Sequence, residues 1–196
     1  MERLVILAAM EQYCKKVLPE MQPQEWEAFQ SGLTIHSYAK GEHILREGEI
    51  CRQVFYLFKG LIRFYYVQDG KEIITGFIDD NQFAADYTSF LQQTPSKKNI
   101  EALQPTWLAA LPYTHMQHVY QQYPVFQIFG RRMAEQLYLK FDHNVTQLAT
   151  LSPEERYHWL IQKQSPLLQT IPQYMLASFL GITPEHLSRI RRKSMK

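Results

Sequence analysis

Glu185 and Arg189 stand four residues apart in a segment whose apolar residues recur at helical spacing, so their side chains project from one face. A carboxylate there can accept a hydrogen bond from a cytosine amine. A guanidinium can bond the O6 and N7 edge of guanine through two parallel N–H groups. The same pair could instead be a plain surface ion pair on a solvated helix, which contributes little. His186 and Ser188 lie beside them as secondary hydrogen-bonding groups, and Arg191, Arg192 and Lys193 follow directly. A cluster of cations so placed suits phosphate oxygens, which give affinity and register without sequence information. Five of the last eight residues are basic (Arg189, Arg191, Arg192, Lys193, Lys196) and none is acidic, whereas the rest of the chain carries slightly more acid than base. The formal net charge is only +2, so the positive field belongs to one end and not to the whole surface.

Such a face needs a rigid scaffold, and the preceding residues supply one. A first helix is expected to begin at Gln173, with Ala177 where two helices approach closely and Gly181 in a turn that needs positive φ. Leu176, Leu180, Ile182, Leu187 and Ile190 fall where apolar side chains must pack the pair together, Thr183 caps the second helix and Pro184 starts it. An ordinary αα-hairpin would rarely satisfy all seven constrained positions at once. The spacing therefore points to a helix-turn-helix.

Upstream, Ser152-Pro153-Glu154-Glu155 carries a capping box with Pro at the first helical position, and marks a hinge after a helix ending near Leu151. Helical periodicity begins near Thr114. Phe126, Phe129, Met133, Leu137, Phe141, Val145 and Leu148 recur every three or four residues as one long apolar stripe. That stripe packs either on the chain's own N-terminal domain or, as its length favours, along a second copy.

Residues from about Arg3 to Ser31 have helical spacing broken at Pro19 and Pro23. From Leu33 short aromatic and β-branched runs alternate with turns: Leu33–Ile35, His43–Leu45, Val54–Phe58, Leu61–Val67 and Glu72–Ile78, with Asp69-Gly70 as a hairpin signal. A last pair of strands is expected at Asn99–Ala102 and Thr106–Leu111. Strands so short and so regularly spaced predict a β-roll or jelly-roll. The expected class is α+β in three parts: residues 1–113 as a β-roll with N-terminal helices, 114–151 as a dimerisation helix, and 152–196 as a helix-turn-helix. The apolar run Leu4–Met10 is too short to span a bilayer, which predicts a cytoplasmic protein with no membrane partner.

Catalytic and metal chemistry find little support. No Ser/His/Asp order, P-loop or paired-carboxylate signature occurs, so an enzyme is not expected. His115 and His118 are three apart with no third ligand near, His36 and His43 form no HxH, and Cys14 and Cys51 form no CxxC.

The segment Ile171–Lys193, the turn Lys40-Gly41-Glu42 and the run Tyr56-Leu57-Phe58-Lys59-Gly60 together resemble the catabolite-activator and fumarate–nitrate-regulator (Crp/Fnr) family of transcription regulators. The resemblance implies a cyclic-nucleotide-binding-like β-roll, a long dimer helix and a winged helix-turn-helix, with Glu185 and Arg189 matching the family's base-reading pair. It implies double-stranded DNA, a second copy of the chain, a small effector and RNA polymerase as partners, and a hinge near Leu151–Pro153 that responds to the effector. Pro184 stands where relatives often carry a further base contact. Six residues after Ile190 leave no room for the usual wing, as in short-ended members from Bacteroidetes-type bacteria. The family's iron–sulfur mode needs about four cysteines, which two cannot supply. In nucleotide-binding relatives a glycine and a glutamate, then an Arg-Ser pair, hold the phosphate and ribose. The matching positions here are Ala85 and Asp86, followed by Tyr87, then Ser96 and Lys97. A lysine offers charge without a bidentate fork, which argues against cAMP and leaves open another small ligand in the roll. The rival class is a ligand sensor whose output domain binds protein in place of DNA.

Overall fold

A computed structural model of the chain describes residues 2–162 and 170–194. Its chain divides into two units, Met1–Phe64 with Phe77–Glu135, and Tyr65–Gly76 with Gln136–Lys196. Helices α1 (Glu2–Val17) and α2 (Pro23–Ser31) open the first unit. Pro23 initiates α2, where a missing N–H costs nothing. The strands follow as β1 (Thr34–Tyr38), β2 (His43–Leu45), β3 (Gln53–Lys59), β4 (Ile62–Gln68), β5 (Lys71–Ile78), β6 (Gln82–Ala84), β7 (Asn99–Ala102) and β8 (Thr106–Pro112), with the short helix α3 (Tyr87–Gln92) before β7. They form two four-stranded sheets, ordered β1-β8-β3-β6 and β2-β7-β4-β5. This is the expected α+β class with a β-roll. Strand β6 and helix α3 were not anticipated, each being too short to build a periodic signal.

The roll forms because β8 is buried and small-residued at its centre. Leu108, Ala109 and Ala110 pair antiparallel with β1 on one side and β3 on the other, Ala110 lying between Thr34 and Phe55. Gly60, at φ +136, lets the chain turn out of β3 where a Cβ would collide with Thr106, and its N–H donates to Asp80 Oδ1 at 2.6 Å. Ile6, Met10 and Cys14 of α1, Leu18 just after it, and Trp26 and Phe29 of α2 close over the sheet.

Residues 114–151 are two helices and not the single one expected. Helix α4 (Tyr113–Gln122) stops before Pro124, and α5 (Val125–Thr150) starts after it. Proline lacks the N–H that would continue the ladder and crowds the preceding turn. The apolar stripe on α5 also divides. Phe126 is 0% exposed, stacks on Phe29 with ring centroids 4.9 Å apart, and belongs to the first unit's core with Phe129. Beyond the unit boundary Leu137, Phe141, Val145 and Leu148 are exposed, Phe141 by 64%. The chain's own core thus covers only the first half of the stripe, from Phe126 to Met133.

In the second unit, α6 (Pro153–Gln162), α7 (Gln173–Phe179) and α8 (Pro184–Ser194) follow α5. The capping box on α6 is formed: the Ser152 N–H donates to Glu155 Oε2 at 2.7 Å, and the Glu155 N–H to Ser152 Oγ at 3.3 Å. Tyr157, Met175, Leu176, Ala177, Leu180, Leu187 and Ile190 are buried. Ser178 Oγ of α7 donates to Glu72 O and accepts from the Ile74 N–H of the hairpin in this unit, both at 3.1 Å.

Candidate nucleic-acid interface and ligand site

Helices α7 and α8 are joined by a tight turn built as the residue types require. Ala177 is wholly buried, and Gly181 has φ +67. A Cβ at Gly181 would meet nothing, so backbone handedness alone selects glycine there. The Ile182 N–H donates to Ala177 O at 3.0 Å, which brings the chain back under α7. Thr183 Oγ1 accepts from the His186 N–H at 3.3 Å and Pro184 occupies the first position of α8. Ile182 is half-buried where a fully apolar position was expected.

The packed face of α8 carries Leu187 and Ile190, which leaves Glu185, Arg189, Arg191, Arg192 and Lys193 exposed, with His186 and Ser188 half-buried at the margin. Lys196 lies outside the described residues. The Glu185 carboxyl is held below its ordinary range by its own backbone N–H and the Thr183 hydroxyl, with a smaller contribution from the Arg189 guanidinium. Glu185 therefore stays ionised as an acceptor at neutral pH. Lys193 Nζ reaches Glu154 Oε2 at 3.5 Å, an exposed pair that solvent screens.

The roll's sequence-derived ligand residues do not all converge. Asp86 precedes α3, yet its carboxylate does not cap that helix. It turns inward, accepts from Ser96 Oγ at 2.7 Å, and meets Lys98 Nζ at 3.3 Å. Lys97 is exposed, and the cation beside Asp86 is its neighbour Lys98. Ser96 Oγ, whose single hydrogen goes to Asp86, accepts from the Lys98 N–H at 2.9 Å and lies 3.0 Å from Lys98 O, which folds the Ser96–Lys98 segment so that Lys98 faces Asp86. Ala85 packs against the core, and Tyr87 stacks on Phe90 with centroids 6.3 Å apart. Burial pushes the Tyr87 phenol up, so it stays neutral. The Asp86 carboxylate is thus already supplied with a hydroxyl and an ammonium.

Three further polar groups carry structure, of which sequence spacing did not single out Arg63 and Arg156. Arg63 on β4 lies buried against Glu101 of β7, Nη2 to Oε2 2.7 Å, with His43 Nε2 4.0 Å from the same oxygen. A cation between Ile62 and Phe64 in an apolar strand was the available signal. Arg156 on α6 donates to two backbone carbonyls, and nothing in its sequence context marks it. His115 Nε2 sits 3.0 Å from Ala28 O at the end of α2, and its ring centroid is 6.3 Å from that of His118. Cys14 and Cys51 are separate buried thiols, and burial with nearby Glu11 pushes Cys14 up to about 12. Among the described residues no helix is long and apolar enough to cross a membrane.

Comparison with known proteins bears on both sites. Residues 35–123 match the cyclic nucleotide-binding domain family. No curated protein matches the chain in sequence. Among solved structures, the c-di-GMP-responsive global regulator CLP of Xanthomonas campestris superposes with a TM-score of 0.70 at 17% identity, covering 89% of this chain and 92% of that one. FixK2 of Bradyrhizobium japonicum gives 0.68 at 19% identity over 82% and 83% of the two chains. The catabolite activator protein of Thermus thermophilus gives 0.57 at 20% over 90% and 85%. Residues 35–123 are thus similar to the cyclic nucleotide-binding domain family, and the chain has the fold of these solved structures.

Proposed function

We propose that the chain is a Crp/Fnr-type transcription regulator that acts as a homodimer and reads a two-fold symmetric duplex site with helix α8 of each protomer. The observation that carries this reading is the α7–α8 pair: a buried Ala177 and a positive-φ Gly181 set the turn, and Glu185 and Arg189 are left on the exposed face. In the proposed complex Arg189 bonds a guanine edge, Glu185 accepts from a cytosine amine, and His186 and Ser188 make secondary contacts. Arg191, Arg192 and Lys193 hold phosphates and fix the register. In this reading residues 1–113 are the sensor, 114–151 carry the dimer contact, and 152–196 are the reader.

The exposed apolar half of α5, from Leu137 to Leu148, supports a second copy as its occupant, since continuation of a helical apolar stripe beyond the chain's own core is what a symmetric helix pair covers. Dimerisation would set two copies of α8 about 34 Å apart, one helical turn of DNA. In this reading the protein is a cytoplasmic regulator with a small-molecule input and contact to RNA polymerase. cAMP is not proposed as that input, because the Asp86 carboxylate that would meet the ribose is already joined to Ser96 and Lys98.

Selection of bound sequences from a random duplex pool tests the reading, run alone, with cAMP, and with c-di-GMP, to which CLP responds. Recovery of a two-fold symmetric site is the expected result. Enrichment of no sequence under any condition would sink it, and a cAMP-dependent site would overturn the exclusion of cAMP.

A further inference from the structure

Arg156 stands in the first turns of α6 and ties together the ends of two other helices. Its Nη1 donates to Leu151 O, the residue that follows α5, and its Nη2 donates to Leu180 O, the C-cap of α7, both at 2.7 Å. Helix C-terminal carbonyls lack intrahelical partners and carry partial negative charge, so a cation between two such ends satisfies both and is favoured by both dipoles. The remaining guanidine nitrogen, Nε, is buried without a hydrogen-bond partner. A buried unmet donor is a standing cost, accepted here along with a geometry that only a planar fork can reach. Leu180 directly precedes Gly181, so the carbonyl that Arg156 grips lies at the turn from which α8 departs.

We propose that Arg156 is the positioning residue that fixes the angle of the α7–α8 pair on α5, and so sets which half-site spacing a dimer accepts. This rests on the DNA-reading function proposed above. Inserting one base pair between half-sites rotates the second by about 34° and moves it by about 3.4 Å. A reader held rigidly on the dimer helix rejects that change, and a reader on a loose pivot accommodates it.

The test compares wild type, Arg156→Met and Arg156→Lys by two measurements on the full chain. Pulsed electron–electron distances between spin labels at Lys140→Cys on α5 and Gln173→Cys on α7, diluted with unlabelled chains, read the angle without DNA. Binding to duplexes with the selected half-sites at spacings one and two base pairs longer and shorter, and to a single half-site, reads its consequence. Wild type should give one narrow distance distribution and prefer its own spacing by about tenfold. Arg156→Met should broaden the distribution and level the spacing preference to within about twofold, with single half-site affinity unchanged. Arg156→Lys, able to serve one carbonyl at a time, should fall between. A narrow distribution with spacing preference intact in Arg156→Met overturns the inference, and if that variant does not fold the same outcome in Arg156→Lys overturns it. Were wild type to select no DNA, the DNA reading would fall, and the distance distributions alone would uphold or overturn the clamp.

Discussion

The Ser96 hydroxyl donates to the Asp86 carboxylate at 2.7 Å, with both side chains buried in the roll. Lys98 Nζ completes the group at 3.3 Å. A buried carboxylate is retained only when its charge is met, so the three residues act as one unit.

Lys98→Met should therefore destabilise the fold by about 1–3 kcal/mol, because it strands a buried charge. Lys97→Met, one residue away and exposed, should stay within about 0.5 kcal/mol of wild type. Urea unfolding of the two variants measures the difference, and equal effects would mean that the Asp86 cluster is not closed by Lys98. Calorimetric titration with cAMP should give no binding heat.

On α8 the two kinds of contact separate by their dependence on sequence and salt. Arg189→Ala should lose about 1–3 kcal/mol at the selected site and relax preference at one base position, while non-specific affinity largely persists. Arg192→Ala should weaken binding to every duplex and reduce the slope of log K against log salt by about 1. An unchanged sequence preference in Arg189→Ala would remove α8 from the recognition role.

The two halves of the α5 stripe should respond differently to substitution. Phe126→Ala opens a cavity against Phe29 and should cost about 3–5 kcal/mol of stability. Phe141→Glu sits on the exposed half and should leave each chain folded but shift sedimentation from dimer to monomer. A Phe141→Glu protein that sediments as a dimer would place the dimer contact elsewhere.

The capping box at the head of α6 gives a pH dependence with a defined sign. The Ser152 hydroxyl and N–H hold the Glu155 carboxyl below its ordinary value. Its contribution to stability is then complete above the unfolded glutamate value and is lost as pH falls through the lowered folded one. Wild type should exceed Glu155→Gln in stability at neutral pH, and the two curves should converge in acid. Parallel curves from neutral to acid pH would show that the carboxylate contributes nothing there.

Most strands and the α7–α8 pair were legible because turn residues bracket them: Asp69-Gly70 between β4 and β5, and Gly181 and Thr183 between the two helices. The break between α4 and α5 was present as Pro124, but the apolar spacing on both sides reads smoothly across it. Lys98 was obscured for a different reason. Adjacent lysines in a loop point in directions set by local hydrogen bonds, here those of Ser96 Oγ to the Lys98 backbone, which spacing does not encode. Arg156 shows the same limit, since its partners are main-chain carbonyls 5 and 24 residues away whose identity leaves no trace in side-chain type.

Ser178 has a consequence for how the protein behaves at high concentration. Strand β5 is the last in its sheet, and Glu72 O with the Ile74 N–H is the pair of backbone groups that an incoming strand would use. A hydroxyl can donate to one and accept from the other, so a single small side chain plugs that register against strand addition by another polypeptide. Ser178→Ala would unplug it, and the cost would be read in turbidity and fibril-dye binding on prolonged storage, before any loss of fold is detectable.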